Sequence, residues 1–156
     1  MYDKVHFCTF CGAQLSGNFH RHLTNVHSDE ETVRDILMLP KRSLERKVKL
    51  QQLVNEGNFK HNIIVMREGK GEIVVGRRCT SKAASDYTAC GFCKKFQLKT
   101  SLWRHTKSCM ARKEYFDKTE KSKRIVAVER GRSLVINAVF SDTPENDLVS
   151  ELLQHM

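Results

Sequence analysis

No long apolar run occurs anywhere in this chain of 156 residues: the longest stretches of consecutive apolar side chains span only a few positions. A membrane-crossing helix needs about 20 such residues, so none is expected. The opening MYDKVHFCTF lacks the apolar core of a secretory leader. The grammar of catalysis is missing too. GKGE at 69–72 has none of the Lys-Ser/Thr ending of a phosphate-cradling loop. No Ser/His/Asp order or open three-ligand metal site is recognisable, so neither an enzyme nor a small-molecule substrate is expected. Lysine and arginine disappear altogether after residue 132.

What is present is cysteine and histidine at metal-ligand spacing. In CGFCKKFQLKTSLWRHTKSC, two residues separate Cys90 from Cys93, eleven precede His105, and three more precede Cys109. The short cysteine spacing lets a tight knuckle aim both thiolates at one ion. Residues four apart on a following helix, His105 and Cys109, share a face. Four protein ligands closing a tetrahedron mark a structural zinc site. Phe96, Leu98 and Leu102 supply the small apolar core that such a unit needs.

CTFCGAQLSGNFHRHLTNVH repeats the pattern, with Cys8 and Cys11 as knuckle and His22 and His27 as helical pair. Leu15 and Phe19 take the apolar positions. Here ten residues separate knuckle and histidine, where the usual finger has about twelve. His20 is a competing imidazole, but its spacing to His27 does not suit one helical face; a solvent-exposed or phosphate-contacting role is expected for it. Two Zn²⁺ per chain follow. Five of the six cysteines are then placed, and Cys79 is left as a free thiol. A lone extra cysteine argues against a disulfide framework and for a reducing compartment, nucleus or alternatively cytoplasm.

The expected fold is small and α+β: a zinc finger over 5–28, a helical connector over 29–57, a β-hairpin over 62–78, and a second finger over 88–110. A basic helix and an acidic amphipathic C-terminal helix follow over 111–156. The connector opens with Ser28 as N-cap and Glu31 three residues on, and Pro40 stops that helix. A second stripe of Leu44, Val48, Leu50, Leu53 and Val54 leads to Gly57, placed as a C-cap. IIVMREGKGEIVV reads as two β-branched runs about a glycine turn. RIVAVERGRSLVINAVF fits either two short strands about Gly131 or a helix broken there. Thr143 and Pro144 open the last helix, whose Leu148, Val149, Leu152 and Leu153 form an apolar face suited to a protein partner or to docking back. Each finger, about 25 residues long, is expected to be organised by its ion rather than by a shared core, since zinc contributes on the order of 10 kcal/mol or more.

Charge is unevenly spread around a formal net of +9. Residues 1–40 balance at −2, residues 41–82 at +7, residues 94–132 at +9, and residues 133–156 at −4. The basic middle suits a phosphate backbone; a solvated face or a nuclear-import signal is the plainer alternative. Candidate nucleic-acid contacts, with DNA favoured, are Arg21, Lys94, Lys95, Lys99, Arg104 and Lys107. Arg21 and Arg104 precede the first metal histidine of each finger, a position from which tandem fingers reach a base edge or phosphate. The fingers lie too far apart in sequence to track consecutive triplets.

HNIIVMREGKGEIVVGRR followed by C-x2-C and LWRHTKSC resembles the paired zinc-finger module of uncharacterised, transposon-derived animal proteins of Crypton, tyrosine-recombinase-like type. The resemblance covers roughly residues 5–110 and rests on the eight ligands with Trp103 and Arg104. It implies a nucleic-acid-binding part of a larger protein, with no recombinase chemistry in these residues. A zinc-stabilised protein-interaction adaptor is the alternative function; binding that collapses with salt would separate the two.

Overall fold

The computed structural model describes residues 5–79, 81–118 and 127–140. Each finger folds as a two-stranded antiparallel ribbon followed by a helix. In the first, β1 (His6–Phe7) pairs with β2 (Gln14–Leu15), and α1 spans Phe19–Val26. In the second, β3 (Tyr87–Ala89) pairs with β4 (Phe96–Leu98), and a 3-10 turn at Lys99–Ser101 leads into α4 (Leu102–Ser108). Between them lie α2 (Glu31–Met38) and a long helix α3 (Leu44–Glu68); α5 (Met110–Lys118) and α6 (Ala127–Phe140) follow. The small α+β fold with two finger-like units is therefore present.

α3 departs most from the sequence expectation. It runs through Gly57 and through the first half of the expected β-hairpin, ending at Gly69, whose φ of 67° is left-handed. Ser43 starts it, its side chain accepting the Arg46 N–H at 3.2 Å. Local β-propensity at Ile63, Ile64 and Val65 is overridden because the helix buries Phe59 and Ile63 on one side and Val65 on another. Glu72–Val75 forms no strand either. It is held by Asn62, fully buried, which donates from Nδ2 to the Val74 carbonyl (2.8 Å) and accepts the Val74 N–H on Oδ1 (2.7 Å). One carboxamide thus stands in for a strand partner.

Gly57 is not a cap but a docking point. A Cβ there would collide with the Phe7 carbonyl, so the missing side chain lets β1 lie against α3. Asn58 fixes the approach by accepting the Phe7 N–H on Oδ1 at 3.0 Å. Gly131 repeats the device. α6 continues through it as one unbroken helix, neither two strands nor a helix broken at Gly131, and a Cβ at Gly131 would collide with the Ala89 carbonyl of β3.

Both fingers therefore share cores with α3, contrary to the expectation of units organised by metal alone. Cys8, Phe19 and Leu23 cluster with Val33 of α2 and Val54 of α3. Tyr87, Ala89 and Phe96 cluster with Phe59 and Ile63 of α3, with Leu134 and Val135 of α6 packed alongside. Burying one such large apolar side chain contributes about 1.5–3 kcal/mol, so these contacts add substantially to any metal term.

Two smaller expectations also change. α2 is capped at Glu30, not Ser28, and no side chain bonds to its first turn. Its C-terminal carbonyls are met instead by the buried Arg46, which donates from one guanidinium nitrogen to Leu37 O (3.0 Å) and Leu39 O (2.7 Å). The helix expected around Thr143–Leu153 lies outside the described residues, as does the 119–126 part of the basic segment.

Candidate metal centres

The two knuckles are the same turn. The Cys8 amide donates to Ala13 O at 3.0 Å and the Gly12 amide to Cys8 O at 3.0 Å; in the second finger the Cys90 amide donates to Lys95 O and the Lys94 amide to Cys90 O, both at 2.9 Å. Gly12 and Lys94 occupy the equivalent left-handed position, at φ 70° and 60°. That conformation costs a non-glycine residue about 1–2 kcal/mol. Lys94 is held in it by an ion pair to Glu56 of α3 at 2.5 Å, with its ammonium 5.6 Å from the Phe59 ring centroid.

Asn18 caps α1 by accepting the Arg21 N–H at 3.1 Å, which sets the helical phase so that His22 faces the knuckle. His27 sits at the helix C-cap. In the second finger, α4 carries His105, and Cys109 caps its end instead of sitting within the same helix. The extended backbone at Cys109, with ψ 112°, ends α4 before α5 begins.

All eight expected ligands converge as two groups of four. Within each group, the sulfur and nitrogen donors lie within 4.8 Å of one another. A tetrahedral ion with thiolate and imidazole ligands requires donor separations of about 3.3–3.8 Å. Cys11 Sγ lies 3.4 Å from His22 Nε2, and Cys93 Sγ lies 3.2 Å from His105 Nε2. His27 Nε2 is buried and makes no hydrogen bond among the described residues. A buried imidazole nitrogen facing two thiols and a second imidazole is satisfied by a cation, so the donor set fits a metal ion. Each group can hold one.

The electrostatics agree with a shared charge centre. Hydrogen bonds from the Cys109 and Cys93 thiols hold the Cys90 thiol far below its ordinary range, and Cys93 is pushed up in turn by Cys109 and Cys90. His105 is raised to about 9 by Cys109 and Cys90. In the first finger burial raises Cys8, and burial followed by the neighbouring His27 lowers His22. A cation would take over the role these protons play.

His20 is not among the ligands. Its Nε2 lies 2.7 Å from a guanidinium nitrogen of Arg46, which ties α1 to the α2–α3 corner, and the side chain is half-buried instead of solvent-exposed. Cys79 also stands apart, 3.2 Å from the Ser81 hydroxyl.

The six candidate nucleic-acid contacts fall into different settings. Arg21 is exposed on α1. Lys99, Arg104 and Lys107 are exposed on and just before α4, around Trp103, which is 54% exposed. The Arg104 guanidinium and Lys107 ammonium lie 5.5 and 4.8 Å from the Trp103 ring centroid. Lys94 is engaged with Glu56, and Lys95 lies beside Gly76 at a separate cleft. Sequence reasoning missed Gly57, Asn58, Asn62 and Gly131, which place the fingers. The available signal was small or carboxamide residues interrupting apolar helical stripes.

No helix among the described residues is long and apolar enough to cross a membrane. No family model, no curated protein and no solved structure matches this chain.

Proposed function

We propose that this chain is a nucleic-acid-binding module whose two ions are structural Zn²⁺, one in each finger. Zinc is favoured by the donor sets: two thiolates with two imidazoles, and three thiolates with one imidazole, are both closed structural zinc sets. The observation that carries the binding role is the outer face of the second finger. His105 turns inward to the donor group while Lys99, Arg104 and Lys107 remain in solvent around an exposed tryptophan. Exposed cations beside an aromatic ring supply phosphate attraction and a stacking surface. DNA in the nucleus is the favoured setting, in keeping with the resemblance to transposon-derived modules.

The test is binding of a labelled DNA duplex by the metal-loaded chain across a salt series. Affinity should fall steeply with salt, and Arg104→Ala should lower it and reduce the log–log slope by about one while leaving metal content unchanged. Salt-independent binding, or an unaltered slope, would reject the reading.

A second reading, a protein-interaction adaptor, draws on one feature. Leu44 and Met110 are 65% and 45% exposed beside a groove between α3 and α5. Binding there would persist at high salt.

A further inference from the structure

α3 carries four carboxamides along one face: Gln51, Asn55, Asn58 and Asn62, spaced four, three and four residues apart. This is the face between the two fingers, where a docked helix would ordinarily present apolar side chains. Two of the four have backbone duties. Asn58 accepts from Phe7 N–H, and Asn62 makes both bonds to Val74. The other two serve no backbone. Gln51 donates from Nε2 to Asn55 Oδ1 at 2.9 Å. Asn55 is only 5% exposed, yet no further side-chain hydrogen bond from it is formed among the described residues. A carboxamide offers two donor hydrogens and two acceptor lone pairs, so Gln51 and Asn55 each keep hydrogen-bonding capacity beyond the one bond they share.

Gln51 and Asn55 open onto a cleft of about 820 Å³, within the roughly 300–1,000 Å³ range of ligand sites. One wall is the first finger's ribbon, bringing Gln14 and Phe7; Phe7 stacks on His61 with ring centroids 3.6 Å apart and planes 6° from parallel. The other wall is the segment that Asn62 holds in place. On that side Arg78 is paired with Glu72 at 2.9 Å, whereas Arg77 and Lys95 make no ion pair among the described residues. The cleft thus combines amides able to meet a donor–acceptor edge, a flat aromatic wall and two available cations.

We infer that this cleft binds one unpaired nucleotide, its base meeting Gln14, Gln51 and Asn55 and its phosphate meeting Arg77 and Lys95. Asn and Gln carboxamides match the paired donor and acceptor of a purine edge, adenine above all. That edge is reachable here only when the base is out of a duplex, as in single-strand recognition generally. The inference deepens the nucleic-acid reading and rests on it: the α4 face attracts backbone, and the cleft selects unpaired strand.

The test uses the full metal-loaded chain with a deoxyadenosine 12-mer carrying one 2-aminopurine, alone and annealed to its complement. The single strand should bind about tenfold more tightly than the duplex, with a change in 2-aminopurine fluorescence. Gln14 and Gln51 are exposed, so the double variant Gln14→Ala/Gln51→Ala should keep its metal and melting temperature. It should lose about tenfold in single-strand affinity, leaving duplex affinity and salt slope unchanged. Equal binding of both forms, with the double variant silent, would overturn the cleft site and leave the nucleic-acid reading standing. Absence of salt-sensitive binding to either form would overturn both.

Discussion

The two fingers share a knuckle, a ribbon and a helix, yet they are embedded to different depths. In the first finger Cys11 is exposed, and both strands are only partly covered. In the second no ligand is exposed, and all three residues of β3 are buried between α3 and α6. The ligand spacing, a local property, determines that each can close around an ion. Depth is set by partners distant in sequence: one helix covers the first finger's ribbon, and two clasp that of the second. Metal and core therefore contribute in different proportions in the two units.

Ligand removal should expose that difference most strongly. Cys11→Ala should abolish one metal and unfold the first finger locally, leaving the α3–β3–α6 core with its cooperative melt. Cys90→Ala should also abolish one metal but lower the main thermal transition, because Cys90 and Leu102 are fully buried beside that core. Loss of a structural ion withdraws on the order of 10 kcal/mol from the unit that holds it. Native mass spectrometry should count one ion in each variant, and circular dichroism should give the two melts. Identical melting of the two variants would show that the fingers are equivalent after all. Graded chelation of the parent chain adds a kinetic version, in which the first site should empty before the second.

The docking glycines give a smaller, sharper contrast. In a bare helix Gly→Ala stabilises by about 1 kcal/mol. Gly57→Ala and Gly131→Ala place a Cβ against the Phe7 and Ala89 carbonyls, so each should instead destabilise by about 1–3 kcal/mol, the range for overpacking. Denaturant melts measure this directly. Gly57→Ala should also speed metal loss from the first finger alone, and Gly131→Ala from the second alone. Stabilisation by either substitution would mean that the finger does not rest on that helix.

These glycines also mark where sequence reading stops. The eight ligands were legible because two-residue knuckles and helical His/Cys pairs are short-range geometry. The helix α3 was not, because its two internal signals point the wrong way when read locally. Gly57 looks like a cap and Ile63–Val65 like a strand, and only contacts of Gly57 with Phe7 and of Phe59 with Phe96, about 50 and 37 residues apart in sequence, reverse both. The setting of Lys94 was out of reach for the same reason. Its charge is visible in the sequence, but Glu56, which engages it, is 38 positions away. The carboxamides recur at helical spacing, but their backbone partners, Phe7 for Asn58 and Val74 for Asn62, leave no mark in that pattern.

The smallest expected effect concerns the cysteine that belongs to neither finger. Cys79 lies on the segment leading into β3, with its amide donating to the Tyr87 hydroxyl at 2.9 Å. Its thiol is lowered from the ordinary cysteine range, chiefly by the hydrogen bond to the Ser81 side chain and then by the Ser81 backbone. A lowered thiol is more ionised near neutral pH, and the thiolate is the reacting species. Iodoacetamide should therefore label Cys79 first while the ions protect the other five thiols. Peptide mapping after brief labelling checks this, and Cys79→Ser should leave metal content and melting temperature within error. Chelation before labelling then tests the comparison between fingers thiol by thiol. Cys8 and Cys11 should become reactive next, and Cys90, Cys93 and Cys109 last, because the α3–α6 clasp outlasts the metal in the second finger. Simultaneous labelling of all five would show that the ion alone protects both fingers, and that the deeper packing of the second contributes nothing to holding its ligands.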